Sequence, residues 1–299
     1  MIESQNTQSQ LNPMQQLILV IVITNAGGEG KSLFAQLMKA LLLLAGRTVE
    51  LIDGDLGNKA TKLADPTARS LGWGISPDTA QIIFKETYGK NVVLDFGANA
   101  MASGQYHEFI FGLQQLFGGA GYKCVAFLPV TPHKTGAAEG VKKLGQQLTG
   151  FEPIYVKNNK DGSGKFDGSF EGLTTLDLGY LKPGLIEYLK RDGETIHSSI
   201  VSPPENCRKA SHLIADWARQ LVGDNTAMSK MLPQVKAALE KFPKPPSPLR
   251  FNFDSIASVT DVNLELNVIK SKVLGAIEEG GFSGESLRSV ADRMDNGTL

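Results

Sequence analysis

Short, unbroken apolar runs recur along the first two-thirds of the chain, and between them apolar residues fall three and four positions apart. Residues 17–23, reading LILVIVI, form a β-branched run of the kind that suits a strand buried on both faces. From Lys31 to about Gly46, Leu33, Phe34, Leu37, Leu41 and Leu44 share one helical face, and Gly46 ends the helix. The alternation continues. Strands are predicted at 48–52, 91–95, 122–130 and 153–156, and helices at 81–88 (the end of one), 107–117 and 135–148. Strands alternating with helices imply an α/β fold: a mostly parallel sheet with right-handed crossovers and helices on both faces.

Past Asn158 the pattern changes. Residues 158–169 read as a long polar loop. A helix follows at 208–221, with Ile214, Trp217 and Leu221 on one side, and another at 228–242. Residues 241–250 are proline-rich and predicted to be extended. Two weaker helical patterns fill 254–294. The expected organisation is a tail at 1–16, one three-layer domain at 17–224, and a helical C-terminal extension at 225–299 carrying the linker 241–250. No internal repeat is visible.

Composition narrows the class without naming a job. With 299 residues, 41% hydrophobic and 20% charged, the chain reads as an ordinary folded domain plus an appendage. A formal net charge of −1 gives no overall pull toward nucleic acid or membrane. The two cysteines, Cys124 and Cys207, are too far apart to suggest a metal site or a disulfide framework. His107, His133, His197 and His212 are scattered, and Trp73 and Trp217 read as packing residues. The polar opening stretch lacks a cationic start, and the run at 17–23 is too short to span a bilayer. A cytoplasmic location is expected.

The chemistry concentrates after the first strand, at Asn25, Ala26, Gly27, Gly28, Glu29, Gly30, Lys31 and Ser32. A strand, a glycine-rich turn and a helix are what a phosphate loop needs. Backbone N–H groups wrap the phosphates, and the helix aims its positive end at them. Lys31 reaches the outer phosphates and the Ser32 hydroxyl ligates magnesium. The usual pattern opens with glycine; Asn25 stands there and tolerates left-handed dihedrals.

Carboxylates follow at two strand ends: Asp53 and Asp55 after the second strand, Asp95 at the end of the third. In a parallel sheet these ends share one edge, where ligands bind, so the three should converge on the loop. One or two would hold magnesium and another would orient water for γ-phosphate cleavage. Taken singly, each could equally cap a turn.

On these residues the chain resembles the ParA/MinD family of P-loop ATPases. The family loop, Lys-Gly-Gly-x-Gly-Lys-Thr/Ser, is matched from Gly27 to Ser32, and its Asp-x-Asp motif by Asp53, Gly54 and Asp55. The segment Leu128, Pro129, Val130, Thr131, Pro132 looks like the family's strand end beside the nucleotide and the dimer face. The resemblance implies an ATP and magnesium site and slow ATP hydrolysis. Lys31, Asp55 and Asp95 are then catalytic; Ser32, Asp53 and Asp95 hold the metal; Asn158 contacts adenine. It also implies a nucleotide-dependent homodimer serving plasmid or DNA partition, maintenance or conjugative transfer, with DNA or a DNA-bound adaptor as partner. The signature lysine is replaced by Ala26, which carries no charge. Lys59, Lys62 and Lys134 are candidate substitutes; otherwise hydrolysis is weakened and a nucleotide-gated scaffold is the alternative. Asn158 and Asp161 also have the spacing of a guanine-reading motif, so a GTP-dependent metal-centre chaperone or small-molecule synthetase is a third reading. The stretch 286–299 lacks a membrane-docking face, so no membrane insertion is expected.

Overall fold

Alternate residues of strand β1 (Ile18–Val22) enter two different cores. Ile18, Val20 and Val22 face one helical layer, and Leu19, Ile21 and Ile23 face the other. A strand in the middle of a covered sheet has no solvent face, so its sequence is apolar throughout. The computed structural model describes residues 16–242 except 56, 72–74, 99, 101–102, 133, 167–169, 183, 186–193 and 204–207. The expectations about the N-terminal tail, Trp73, His133, Cys207, the proline-rich linker from 243 onward and the C-terminal helices lie outside the described residues.

The other elements are α1 (Lys31–Leu44), β2 (Val49–Gly54), α2 (Ala60–Ala64), β3 (Arg69–Ser70), α3 (Pro77–Thr87), β4 (Asn91–Phe96), α4 (Gly104–Gly119), β5 (Lys123–Val130), α5 (Ala137–Gln147), β6 (Glu152–Asn158), β7 (Thr175–Leu178), α6 (Ile196–Val201), α7 (Arg208–Leu221), α8 (Ala227–Met231) and α9 (Pro233–Glu240). The seven strands form one parallel sheet in the order β3-β2-β4-β1-β5-β6-β7. From β1 the chain crosses first to one side and later to the other. Its carboxyl end therefore opens a crevice between diverging connections.

Two short strands go beyond the sequence expectation. β3 is two residues long, and β7 is an edge strand whose Thr-Leu-Asp-Leu alternates buried and exposed. The expected helix at 228–242 is broken. Pro233 has no N–H to give and biases the residue before it away from helix; Leu232 sits at φ −131° and separates α8 from α9. Met228, Met231, Leu232, Val235 and Leu239 are buried in the same core as α1 and the sheet. That core, not an extension starting at 225, holds α8 and α9. The chain divides at Pro245/Pro246, and its second unit, Pro246–Leu299, lies outside the described residues.

Candidate functional site

Between β1 and α1 the backbone turns on two glycines with left-handed dihedrals, Gly28 (φ 77°) and Gly30 (φ 86°). Gly30 is required twice over: a Cβ there would lie 2.3 Å from Asn158 Nδ2. Side chains hold three of the loop's carbonyls. Lys31 Nζ donates to Ala26 O (3.1 Å), Lys134 Nζ to Gly27 O (2.9 Å) and Asn158 Nδ2 to Glu29 O (2.9 Å). The loop opens on a cleft of about 460 Å³ lined by Gly27, Gly28, Gly30, Lys31, Ser32 and Asp55. Leu33, Leu181 and Trp217, with Asn158 and Lys160, also line it. Trp217 also donates through Nε1 to Gly179 O (3.1 Å), so it is both a packing residue, as its helical side suggested, and a cleft wall.

Lys31 is buried, which lowers its pKa, while Asp95, Asp55 and Glu29 pull the other way. Glu29 is 1% exposed and accepts from Thr131 N–H (2.7 Å) and Thr131 Oγ1 (2.8 Å), with Lys134 Nζ 2.6 Å from its other oxygen.

The three strand-end carboxylates do converge, but they are differently engaged. Asp53 is fully committed to the backbone: Oδ1 accepts from Asp55 N–H (3.0 Å) and Oδ2 from Lys62 N–H (2.8 Å). It anchors the turn that carries Asp55, with one backbone N–H on each oxygen. Asp55 lines the cleft; its Oδ1 accepts from the N–H groups of Gly57 (3.0 Å) and Asn58 (3.1 Å). A Cβ on Gly97 would lie 3.0 Å from that same oxygen, so the glycine after β4 gives Asp55 its room.

Asp95 is the outlier. It is 1% exposed; Oδ2 accepts from Thr61 Oγ1 (2.6 Å), while Oδ1 is buried with no hydrogen-bond partner. Burial pushes its pKa up to about 6, and Asp53 adds to the push. The nearby Thr61 and Ser32 hydroxyls and Lys31 oppose it. A buried orphan oxygen on a carboxylate beside Ser32 fits a bound cation. Thr61 was not foreseen: it sits on the five-residue helix α2, which no apolar period announces.

Other expectations are resolved by geometry. Lys62 Nζ donates to Pro66 O and Ala68 O (2.6 Å each), and neither Lys59, Lys62 nor Lys134 is among the described residues lining the cleft. Asp161 Oδ1 accepts from Ser163 N–H (2.9 Å) in a local turn, and Asp161 does not line the cleft either. Asn158 reaches both the cleft and the loop, and its amide nitrogen is spent on Glu29 O. Cys124 is buried in β5, which pushes its thiol up to about 11. Among the described residues, no group of three or more His, Cys, Asp or Glu side chains could hold a metal unaided, and no helix is long and apolar enough to cross a membrane.

No family model and no curated protein matches the chain. Solved structures similar to it include the septum site-determining protein MinD complexed with Mg-ADP from Pyrococcus horikoshii, with 14% identity, 72% of this chain and 99% of that one covered, and a TM-score of 0.47. The MinC:MinD cell division protein complex of Aquifex aeolicus is 16% identical over 70% of this chain and 97% of that one, with a TM-score of 0.45. Chloroplast FtsY from Physcomitrella patens is 12% identical over 50% and 52%, with a TM-score of 0.38. On its own strand order and loop, the chain is a three-layer α/β protein with the P-loop NTPase fold.

Proposed function

We propose that this chain is a magnesium-dependent ATP-binding protein and slow ATPase of the ParA/MinD type. It would act as a nucleotide-dependent self-associating subunit in plasmid or DNA partition, maintenance or conjugative transfer, with DNA or a DNA-bound adaptor as partner. The observation that carries the site reading is Asp95 Oδ1: a buried, unpartnered carboxylate oxygen beside Ser32, at the foot of a glycine loop that opens on the cleft.

Ser32 and Asp95 are the residues that hold magnesium, which offsets phosphate charge when bound. Lys31, now turned onto Ala26 O, is free to swing to the outer phosphates. Asp55, kept in the cleft by Gly57 and Asn58 N–H groups, orients the attacking water. Asp53 sets the position of Asp55 instead of touching metal. The apolar side chains of the cleft, Leu33, Leu181 and Trp217, suit a nucleobase. Asp161 lies outside that lining with Oδ1 engaged by Ser163, which favours ATP over GTP. Calorimetry with magnesium and either nucleotide tests the reading: ATP is expected to bind more tightly than GTP, and absence of ATP binding would overturn it.

One observation favours the scaffold reading, in which nucleotide gates assembly with little turnover. Ala26 brings only a carbonyl to the loop, and the candidate replacement lysines do not line the cleft. An Ala26→Lys variant separates the two. Faster turnover supports the scaffold reading; turnover equal to that of the wild type counts against position 26 as the limit.

A further inference from the structure

The phosphate loop contains a feature that runs against its proposed task. Glu29, in the middle of a loop meant to hold a polyanion, is a carboxylate 1% exposed. A buried carboxylate is costly unless paired, and an unpaired one behind the loop would repel every phosphate in front of it. Its partners come from a distant segment, the turn between β5 and α5. Thr131 donates twice, at 2.7 and 2.8 Å, and Lys134 Nζ lies 2.6 Å from Oε1. The same Lys134 Nζ donates to Gly27 O at 2.9 Å. A trans peptide points its N–H opposite to its C=O, so holding Gly27 O turns the Gly28 N–H away from Lys134. Gly28 lines the cleft, whereas neither Glu29 nor Lys134 is among the described residues that do.

We infer that Glu29 and Lys134 form a charge-neutral latch that fixes the phosphate loop to the β5–α5 turn. Lys134 is then a positioning residue, present to cancel Glu29 and hold Gly27 O; it is not a phosphate ligand. The inference rests on the reading of the loop as a triphosphate site. It deepens that reading by separating two roles that one lysine could play. A direct phosphate ligand is needed whatever stands at position 29. A latch lysine is needed only while residue 29 is charged.

Lys134→Met, Glu29→Gln and the double variant distinguish these roles. Affinities for Mg-ATP, Mg-ADP and AMP are measured by calorimetry, with far-ultraviolet circular dichroism and urea midpoints in parallel. Lys134→Met leaves a buried carboxylate in the loop with the Thr131 hydrogen bonds but no countercharge. ATP affinity is expected to fall about tenfold or more, ADP affinity less and AMP affinity least, because the repulsion scales with ligand charge. A merely structural lesion would not grade in that order. Glu29→Gln keeps an acceptor for Thr131 and should return the double variant to within about threefold of wild type for ATP. If Lys134→Met is too unstable to titrate, Glu29→Gln carries the test alone. It leaves one uncancelled positive charge, and ATP affinity must rise severalfold more than AMP affinity. A double variant as weak as Lys134→Met, or a Lys134→Met protein that binds ATP like wild type, overturns the latch alone. Wild-type protein that binds none of the three nucleotides overturns the proposed function and the latch with it.

Discussion

Asp95→Asn should stabilise the protein without ligand and abolish its stabilisation by magnesium nucleotide. The size of the first effect follows from the structure. Burial, helped by Asp53, lifts the Asp95 carboxyl from 3.8 to about 6. At 1.36 kcal/mol per unit, that gap of roughly two units means the ionised form costs about 3 kcal/mol in the folded state at neutral pH. Asp95 is 1% exposed, so solvent screening barely reduces this figure. The folded pKa is raised, so this group's contribution to stability is fully present below 3.8 and lost as pH rises through about 6. Asparagine never ionises, and its oxygen still accepts from Thr61.

Thermal and urea unfolding of both proteins, without nucleotide, from pH 4 to 7.5 would test this. At pH 7.5 the variant should be more stable by about 1–3 kcal/mol, or roughly 3–10 °C in Tm for a domain of this size. The gap should close as pH falls toward 4. With Mg-ATP at about 100 times its Kd, wild type gains about 2.7 kcal/mol and the variant loses the magnesium-dependent part of that gain, so the gap should shrink by most of that amount. A variant no more stable than wild type at pH 7.5 would refute the burial argument. A variant that keeps the full magnesium-dependent gain would refute the assignment of Asp95 to the ion.

Three further outcomes are expected. Gly30→Ala forces a side chain into a left-handed position and onto Asn158 Nδ2; ATP affinity should fall about tenfold or more with a loss of about 1–3 kcal/mol in stability, and calorimetry with urea unfolding reads both. Gly97→Ala crowds Asp55 Oδ1, so turnover measured by phosphate release should drop about tenfold or more while ATP affinity changes little; unchanged turnover would remove Asp55 from its water-orienting role. Lys39→Met strips the ion-pair partner, 2.6 Å away, from the buried Asp65 and should cost about 2–4 kcal/mol in urea unfolding. Burial raises the Asp65 pKa, but hydrogen bonds from Lys39 and Thr67 outweigh it and the net shift is downward. Wild type therefore has this stability in full above the usual carboxylate range and loses it as pH falls through the lowered folded pKa, whereas the variant, without the Lys39 contribution, should lose less on acidification.

The sheet was legible because its strands are buried on both faces. Leu19, Val20 and Ile21 cannot be polar when one faces α1 and the next faces α4, so the run betrays itself. β7 was missed because an edge strand keeps a solvent face, and Asp177 occupies it in an ion pair with Lys157. The glycine loop and the strand-end carboxylates were legible as local spacing. What no spacing reveals is how each side chain is spent. Lys134 stands 107 residues from Gly27, and Asn158 stands 129 from Glu29; both meet the loop because β5 runs beside β1 and β6 beside β5. Even the break at Leu232 was readable from Pro233, whereas the burial of α8 and α9 against α1 is tertiary and carries no local mark beyond apolar spacing.

The three aspartates show how topology assigns roles that sequence leaves equal. Asp53 and Asp95 are register partners on adjacent parallel strands, so their charges are neighbours by construction. Two like charges at a buried strand end cannot both be left bare. The backbone satisfies Asp53 with two N–H groups, one from the turn and one from α2. Asp95 is pushed up first by burial and then by the charge of Asp53, and the Thr61 and Ser32 hydroxyls only partly oppose the rise. The residue left short of partners is the one beside Ser32 and the loop. Its deficit is electrostatic, and a cation at the open oxygen would offset it. On the proposed reading, that deficit is what a magnesium ion at Asp95 would relieve.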